Sequence, residues 1–327
     1  MQLEDKLSLF LAFRRWDIPT KKKTFTYYDG TDGLLEHLRG MKDQFQGKKV
    51  GICLSAGIDS GLVASIFRPS MAYTLVYHGN DGEFVNSELH LNGASHVPVL
   101  VTKVTYFNAA REAIRLLQEP IPPHSPLFYL MAQRAKRDGC DVLLTGLGAE
   151  GNGEMSHFYA HRKRAEFINR LFRMTVDPKS VLKNPSNIDW VFDSYCTDGV
   201  IDVQRFLSEI GTGGATSTNE GAIDLAGVQA FSPFKSLRFS GKYKPYLIAK
   251  GMIKPHLSEA YNREYGVAPP KKKALAAPYR KWMAGWRHSR EEFLTRLHGR
   301  VALPGKRRFL VWAIEQYLNK FGGFNAS

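Results

Sequence analysis

The chain has 327 residues, 43% of them hydrophobic and 23% charged, with a formal net charge of +14. That is enough apolar material for a substantial core in one large domain or two smaller ones, and the three cysteines, Cys53, Cys140 and Cys196, are too few for a disulfide framework and lack metal-ligand spacing. No apolar run approaches the roughly 18 residues needed to cross a bilayer, and the start MQLEDKLSLF carries acids where a signal peptide is basic, so a soluble, cytoplasmic protein with no membrane role is expected.

In chain order, residues 1–47 read as a short N-terminal segment, too small for a domain. It has a basic turn at Lys21–Lys23 and a helix carrying Leu34, Leu35, Leu38, Met41 and Phe45. Strands are predicted at Val50–Leu54, Ala72–Tyr77, Val97–Thr102 and Val142–Thr145, with helices near Phe84–Ala94, Tyr106–Leu117 and Leu127–Arg137. Strands alternating with helices imply an α/β fold with a doubly wound parallel sheet over residues 48–155. Cys53 on the first strand and Cys140 just before a later one read as small core residues. The remainder, 156–327, reads as mainly helical and basic, interrupted by Gly211–Thr218, whose Gly, Ser and Thr content predicts a surface loop, either a lid or an ordinary connection.

The charge is uneven: residues 1–240 hold 27 Lys and Arg against 26 Asp and Glu, while 241–327 hold 18 against 5. Such a basic stretch suits a nucleic acid or another polyanion; the alternative reading turns part of it toward nucleotide phosphates and leaves the rest solvated.

The most informative stretch is Gly51–Ser60, GICLSAGIDS. A β-branched and apolar strand ends in a small-residue loop that leads directly into a helix. Backbone N–H groups at such a helix start face an anion, and Ala56 and Gly57 let it approach the main chain. Asp59 is then a candidate Mg²⁺ ligand, because hard cations prefer carboxylate oxygen. The loop is neither a Walker loop, which ends Gly-Lys-Ser/Thr, nor a GxGxxG turn.

This loop resembles the SGGxDS loop of the ATP pyrophosphatases, or PP-loop enzymes, with Ala56 replacing the first glycine. Three further segments resemble the synthetase domain of asparagine synthetase B and β-lactam synthetase. They are Gln118–Glu154, which runs from a D-E-P-like turn to an SGEGxDE-like loop; Lys272–Trp282, which follows a K-x-G-F-x-x-P-x-x-x-W pattern; and Trp312–Phe321, which is similar to the last helix. No counterpart of the glutaminase domain of those enzymes is expected, since the chain reads Met1-Gln2-Leu3 where they carry a cysteine nucleophile.

The resemblance implies an adenine nucleotide alpha hydrolase-like fold with a helical C-terminal region. It implies a ligase that uses ATP and Mg²⁺ to adenylate a carboxylate and passes the acyl group to ammonia or an amine, from solution or from a separate ammonia-supplying partner. By the same resemblance Ser55, Ala56, Gly57 and Ser60 cradle pyrophosphate, Asp59 holds Mg²⁺, and Leu75–Tyr77 contact adenine through the main chain. Gly146, Gly148 and Ala149 shape the second loop, and Lys272 stabilises the adenylation transition state.

Departures from the family pattern are specific. Gln118 stands where the family has its second metal-binding acid, leaving Glu119 as the substitute ligand. Leu147 replaces another acid, and the E-A-R-x-P-F-L-D segment becomes Gln229–Ser236, with Ser236 at an acidic position. These losses point to an unusual acceptor. The alternative expectation is a PP-loop enzyme that adenylates a nucleic-acid base or nucleotide, and a third is a noncatalytic nucleotide-binding subunit.

Overall fold

Strand β2 (Val50–Cys53) lies at the centre of a five-stranded sheet. The computed structural model describes residues 1–18, 24–79, 81–149, 161–241, 254–270, 277–291, 293–295 and 303–322. Ahead of β2 come α1 (Leu3–Phe13), β1 (Thr26–Tyr28) and α2 (Gly30–Gly40). After it come α3 (Ile58–Phe67), β3 (Met71–Val76), α4 (Asp81–Ser87), β4 (Ser95–Leu100), α5 (Lys103–Leu117), α6 (Ser125–Arg137) and β5 (Val142–Leu144). Helices α7 (Arg164–Met174), α8 (Asp189–Asp193), α9 (Val203–Phe206) and α10 (Thr212–Leu225) follow, with the β6–β7 ribbon (Cys196–Thr197, Val200–Ile201) between α8 and α9. The chain then forms β8 (Gln229–Phe231), β9 (Leu237–Phe239), α11 (Pro255–Tyr265), α12 (Tyr279–Trp282) and α13 (Gly305–Phe321).

The sheet order is β4-β3-β2-β5-β8, and every pairing is parallel. From β2 the chain moves outward to β3 and β4, then returns to the other side of β2 for β5. That reversal opens a crevice beyond the carboxyl ends of β2 and β5, where ligands of open α/β sheets bind. The doubly wound parallel sheet expected from the strand and helix alternation is therefore present.

Period-two alternation explains why both faces are covered. Cys53, Tyr73, Leu75 and Leu143 pack with α1, α5, α6 and α13 through Leu7, Tyr106, Leu127 and Phe309. Ile52, Leu54, Ala72, Val142 and Leu144 pack on the other side with Leu34, Leu62 and Leu257 from α2, α3 and α11. A strand buried on both faces is apolar at consecutive positions, as Ile52 to Leu54 are. Cys53 and Cys140 are buried and unbridged, as expected of core thiols.

Besides the short strands β1, β6, β7 and β9, which the sequence did not signal, three elements differ from the sequence expectations. Gly211–Thr218 is helical backbone at the start of α10 rather than a surface loop, and further along that helix Thr216, Asn219, Ala222 and Ile223 are buried. Ser125 Oγ on α6 donates to Asn219 Oδ1 at 2.7 Å, so tertiary packing overrides the loop-like composition. Helix α1 is new, started by the Gln2 N–H donating to Asp5 Oδ2 at 3.0 Å and ended by Arg14 in the left-handed region. The fifth strand, β8, is the third: Gln229–Phe231 is short enough that only its place beside β5 makes it a strand. Among the described residues no helix is long and apolar enough to cross a membrane.

Candidate nucleotide site

The loop Ser55–Gly57 connects β2 to α3, with Gly57 as N-cap in an extended conformation. Its two serines close it: the Ser55 N–H donates to Ser60 Oγ at 3.1 Å, the two hydroxyls lie 2.8 Å apart, and the Gly57 N–H donates to Ser55 Oγ at 3.2 Å. The first N–H groups of any helix lack intrahelical partners and carry its positive dipole end. Here that end faces the crevice at the sheet's switch point. Sequence reasoning found this loop because all its parts are consecutive.

Its support came from elsewhere in the chain and was missed. His90, fully buried, places Nδ1 3.0 Å from the Ser55 carbonyl and Nε2 2.8 Å from the Tyr261 hydroxyl. A carbonyl only accepts, so Nδ1 carries the proton and Nε2 accepts from Tyr261. Burial lowers the His90 pKa, which keeps this ring neutral. Tyr265 donates to the Gly61 carbonyl at 2.8 Å, so α11 braces α3 from the same side.

The second loop, after β5, presses directly on the first. A Cβ on Gly146 would lie 2.7 Å from the Ser60 nitrogen and 2.9 Å from the Asp59 carbonyl carbon. Gly148 has φ +91°, and a Cβ there would lie 2.9 Å from the Lys235 nitrogen. Both glycines are thus required by close backbone approach, Gly146 to Asp59–Ser60 and Gly148 to Lys235. Ala149 is buried, Leu147 donates its N–H to Thr145 Oγ1 at 3.1 Å, and Thr145 Oγ1 lies 2.7 Å from Ser232 Oγ.

Charges in the crevice are balanced in pairs. Asp59 is ion-paired with Lys254, which is 2% exposed and lies in the left-handed region (φ 57°) just before α11. Lys235 is ion-paired with Glu220 of α10. Ala56 donates its N–H to Glu83 Oε1 at 2.8 Å, bringing a second carboxylate to the loop. Neither Lys254 nor Glu83 was legible in the sequence, because each meets the loop only through the fold.

Glu119 has different surroundings. Burial, reinforced by the Asp17 carboxylate and opposed by Arg15 and Lys6, raises its pKa to about 7. None of these neighbours belongs to the loop around Asp59. Leu75 and Tyr77 lie at the carboxyl end of β3 and just past it, both buried, with the Tyr77 ring 6.3 Å from Trp282. Lys272 lies outside the described residues. Among the described residues no group of three or more His, Cys, Asp or Glu side chains forms a metal site. Nucleotide-bound Mg²⁺ uses one or two carboxylates together with phosphate oxygens, and Asp59 in the first turn of α3 fits that need.

Part of the C-terminal basic excess is engaged internally: Lys254 pairs with Asp59, Arg263 with Asp32 and Glu259, and Arg308 donates to the Met283 carbonyl at 3.1 Å.

Residues 41–200 match the family model described as asparagine synthase. The match contains both loops, Ser55–Ser60 and Gly146–Gly148, and ends before Lys254 and Lys272. It supports an ATP-using enzyme with a PP loop. No curated protein matches the chain. Among solved structures, NMN synthetase from Francisella tularensis is 13% identical, covering 76% of this chain and 97% of that chain at a TM-score of 0.25. A likeness of that extent carries no argument about this chain.

Proposed function

From the asparagine synthase match over residues 41–200, we propose that this protein is an ATP-dependent, AMP-forming ligase that joins a carboxylate to ammonia or an amine. The observation that carries the reading is the contact of the two loops at the sheet's switch point, with Asp59 and the start of α3 between them. A substrate carboxylate oxygen attacks the α-phosphorus of ATP and pyrophosphate leaves; the amine nitrogen then attacks the acyl carbon, AMP leaves and the nitrogen loses a proton.

The protein's work is positioning and charge neutralisation. The N–H groups at the start of α3, those of Ile58 and Asp59, together with that of Ala56, hold departing phosphate oxygens, and Ser55 and Ser60 keep the loop in shape for them. Asp59 would hold Mg²⁺, which would supply charge neutralisation to the phosphates. Lys254 supplies a buried positive charge beside the same phosphates, and Lys272 remains the expected transition-state cation. Lys235 and Ser236, where the family pattern has Leu and Asp, favour an acceptor other than the family's usual one.

The test is product analysis with MgATP, aspartate and ammonium, comparing wild type with Lys272→Ala. AMP, pyrophosphate and an amide are expected, with AMP formation falling at least about a hundredfold in the variant. ADP as product would overturn the reading. A second reading, adenylation of a nucleic-acid base or nucleotide, is motivated by the 18 to 5 charge balance of residues 241–327; failure to bind RNA or DNA at low salt removes it.

A further inference from the structure

The loop at Ser55–Ser60 carries an anion on its N–H side and a cation on its carboxylate side, both supplied by the chain itself. The Glu83 carboxylate accepts from the Ala56 N–H at 2.8 Å, a charge-assisted bond of the kind a phosphate oxygen makes there. The Lys254 ammonium sits on Asp59, the position that suits a metal ion. We propose that Glu83 and Lys254 are exchangeable counter-ions of this site, displaced together when a metal-bound nucleoside triphosphate enters. The inference rests on the proposed nucleotide reading and extends it to two residues and an order of binding.

The exchange conserves charge. The incoming phosphates take the Ala56 N–H from Glu83 and attract Lys254, and Asp59, released, is free for the metal. Without the nucleotide, Lys254 has nowhere to go: its side chain is 3% exposed, and leaving Asp59 would strand a buried ammonium. Asp59 is therefore closed to a metal ion until phosphates arrive, and metal and nucleotide enter as one.

Both counter-ions are held in place by their elements. Lys254 is one of six non-glycine residues with positive φ among the described residues. A left-handed conformation is disfavoured there and persists where surrounding contacts over-determine it. Glu83 lies on α4, which is fixed to the sheet by Phe84 stacked on His96 at 3.7 Å and by Ser87 Oγ 3.2 Å from Thr74 Oγ1. A carboxylate on a fixed helix, aimed at a phosphate-type N–H, stays available to return when product leaves.

The experiment measures binding of Mn²⁺, by loss of the free-ion EPR signal, and of α,β-methylene-ATP, by calorimetry, to wild type, Lys254→Met and Glu83→Gln. Wild type should take up Mn²⁺ only with the nucleotide analogue, whereas Lys254→Met should bind Mn²⁺ without nucleotide at least about tenfold more tightly than wild type. Glu83→Gln, which keeps the hydrogen bond and loses the charge, should bind the analogue about three- to tenfold more tightly. Equal Mn²⁺ affinity of wild type and Lys254→Met, or weaker analogue binding by Glu83→Gln, overturns the proposal. If Lys254→Met does not fold by circular dichroism, the Glu83→Gln arm decides. Failure of every protein to bind the analogue would instead refute the nucleotide reading, while the Mn²⁺ comparison still tests the Asp59–Lys254 pair.

Discussion

Replacing Asp59 by alanine removes the counter-ion of a lysine whose side chain is 3% exposed, while Asp59 itself is 27% exposed. Breaking a buried pair by deleting one partner typically costs about 3–5 kcal/mol, because the other charge stays in low dielectric. Partial access of water to the Asp59 side of the pair reduces this to about 2–4 kcal/mol. For a chain of this size that is a fall of roughly 3–6 °C in Tm, read by far-ultraviolet circular dichroism. Lys254→Met should cost less, because the partly exposed carboxylate left behind can hydrate. In Asp59→Ala/Lys254→Met no charge remains buried, so the double variant should be more stable than Asp59→Ala alone, with a coupling of about 1–3 kcal/mol. Additive losses, or an Asp59→Ala midpoint within about 1 °C of wild type, would refute the buried-pair reasoning.

Gly146→Ala forces a methyl to within 2.7 Å of the Ser60 nitrogen, so nucleotide affinity should fall at least about tenfold and stability by about 1–3 kcal/mol; calorimetric affinity equal to wild type would refute the contact between the loops. Glu119 has its folded pKa raised to about 7 from 4.5, so its contribution to stability is full below the unfolded value and is lost as pH rises through about 7. Glu119→Gln should therefore stabilise the protein by up to about 3 kcal/mol near pH 8 and by little near pH 4, as urea unfolding at the two pH values would reveal. His90 and His124 are lowered by burial, the opposite case: their contribution is present above about pH 6.5 and is lost as pH falls below it. His90→Gln should lose stability near neutral pH yet show a shallower decline between about pH 7 and pH 5, and an unchanged slope would exclude a titrating role.

What was legible in the sequence is what consecutive residues encode. The run from Val50 to Phe67 contains its own strand, loop and helix start, so the phosphate-shaped turn follows from local apolar patterning and from small residues at Ala56 and Gly57. β2, β3 and β5 were readable for the same reason, since strands buried on both faces are largely apolar, β4 from its alternation of buried Val97 and Val99 with exposed neighbours, and the place of Ser55–Ser60 beyond β2 followed from the alternation of strands with helices. Gly146 and Gly148 were readable as positions of close approach, though not what approaches them.

Only the tertiary structure decided the rest, because the groups concerned meet across long stretches of chain. Gly211–Thr218 lies in a connection by composition and at the start of a helix in the fold, since burial of α10 against α6 outweighs intrinsic propensity. Gln229–Phe231 becomes a strand only where β5 offers an open edge. Lys254 reaches Asp59 from 195 positions away, and Glu83 reaches Ala56 from 27. Periodicity reports which face of an element is buried, whereas the partner of a buried charge depends on how elements pack, and no local pattern records that.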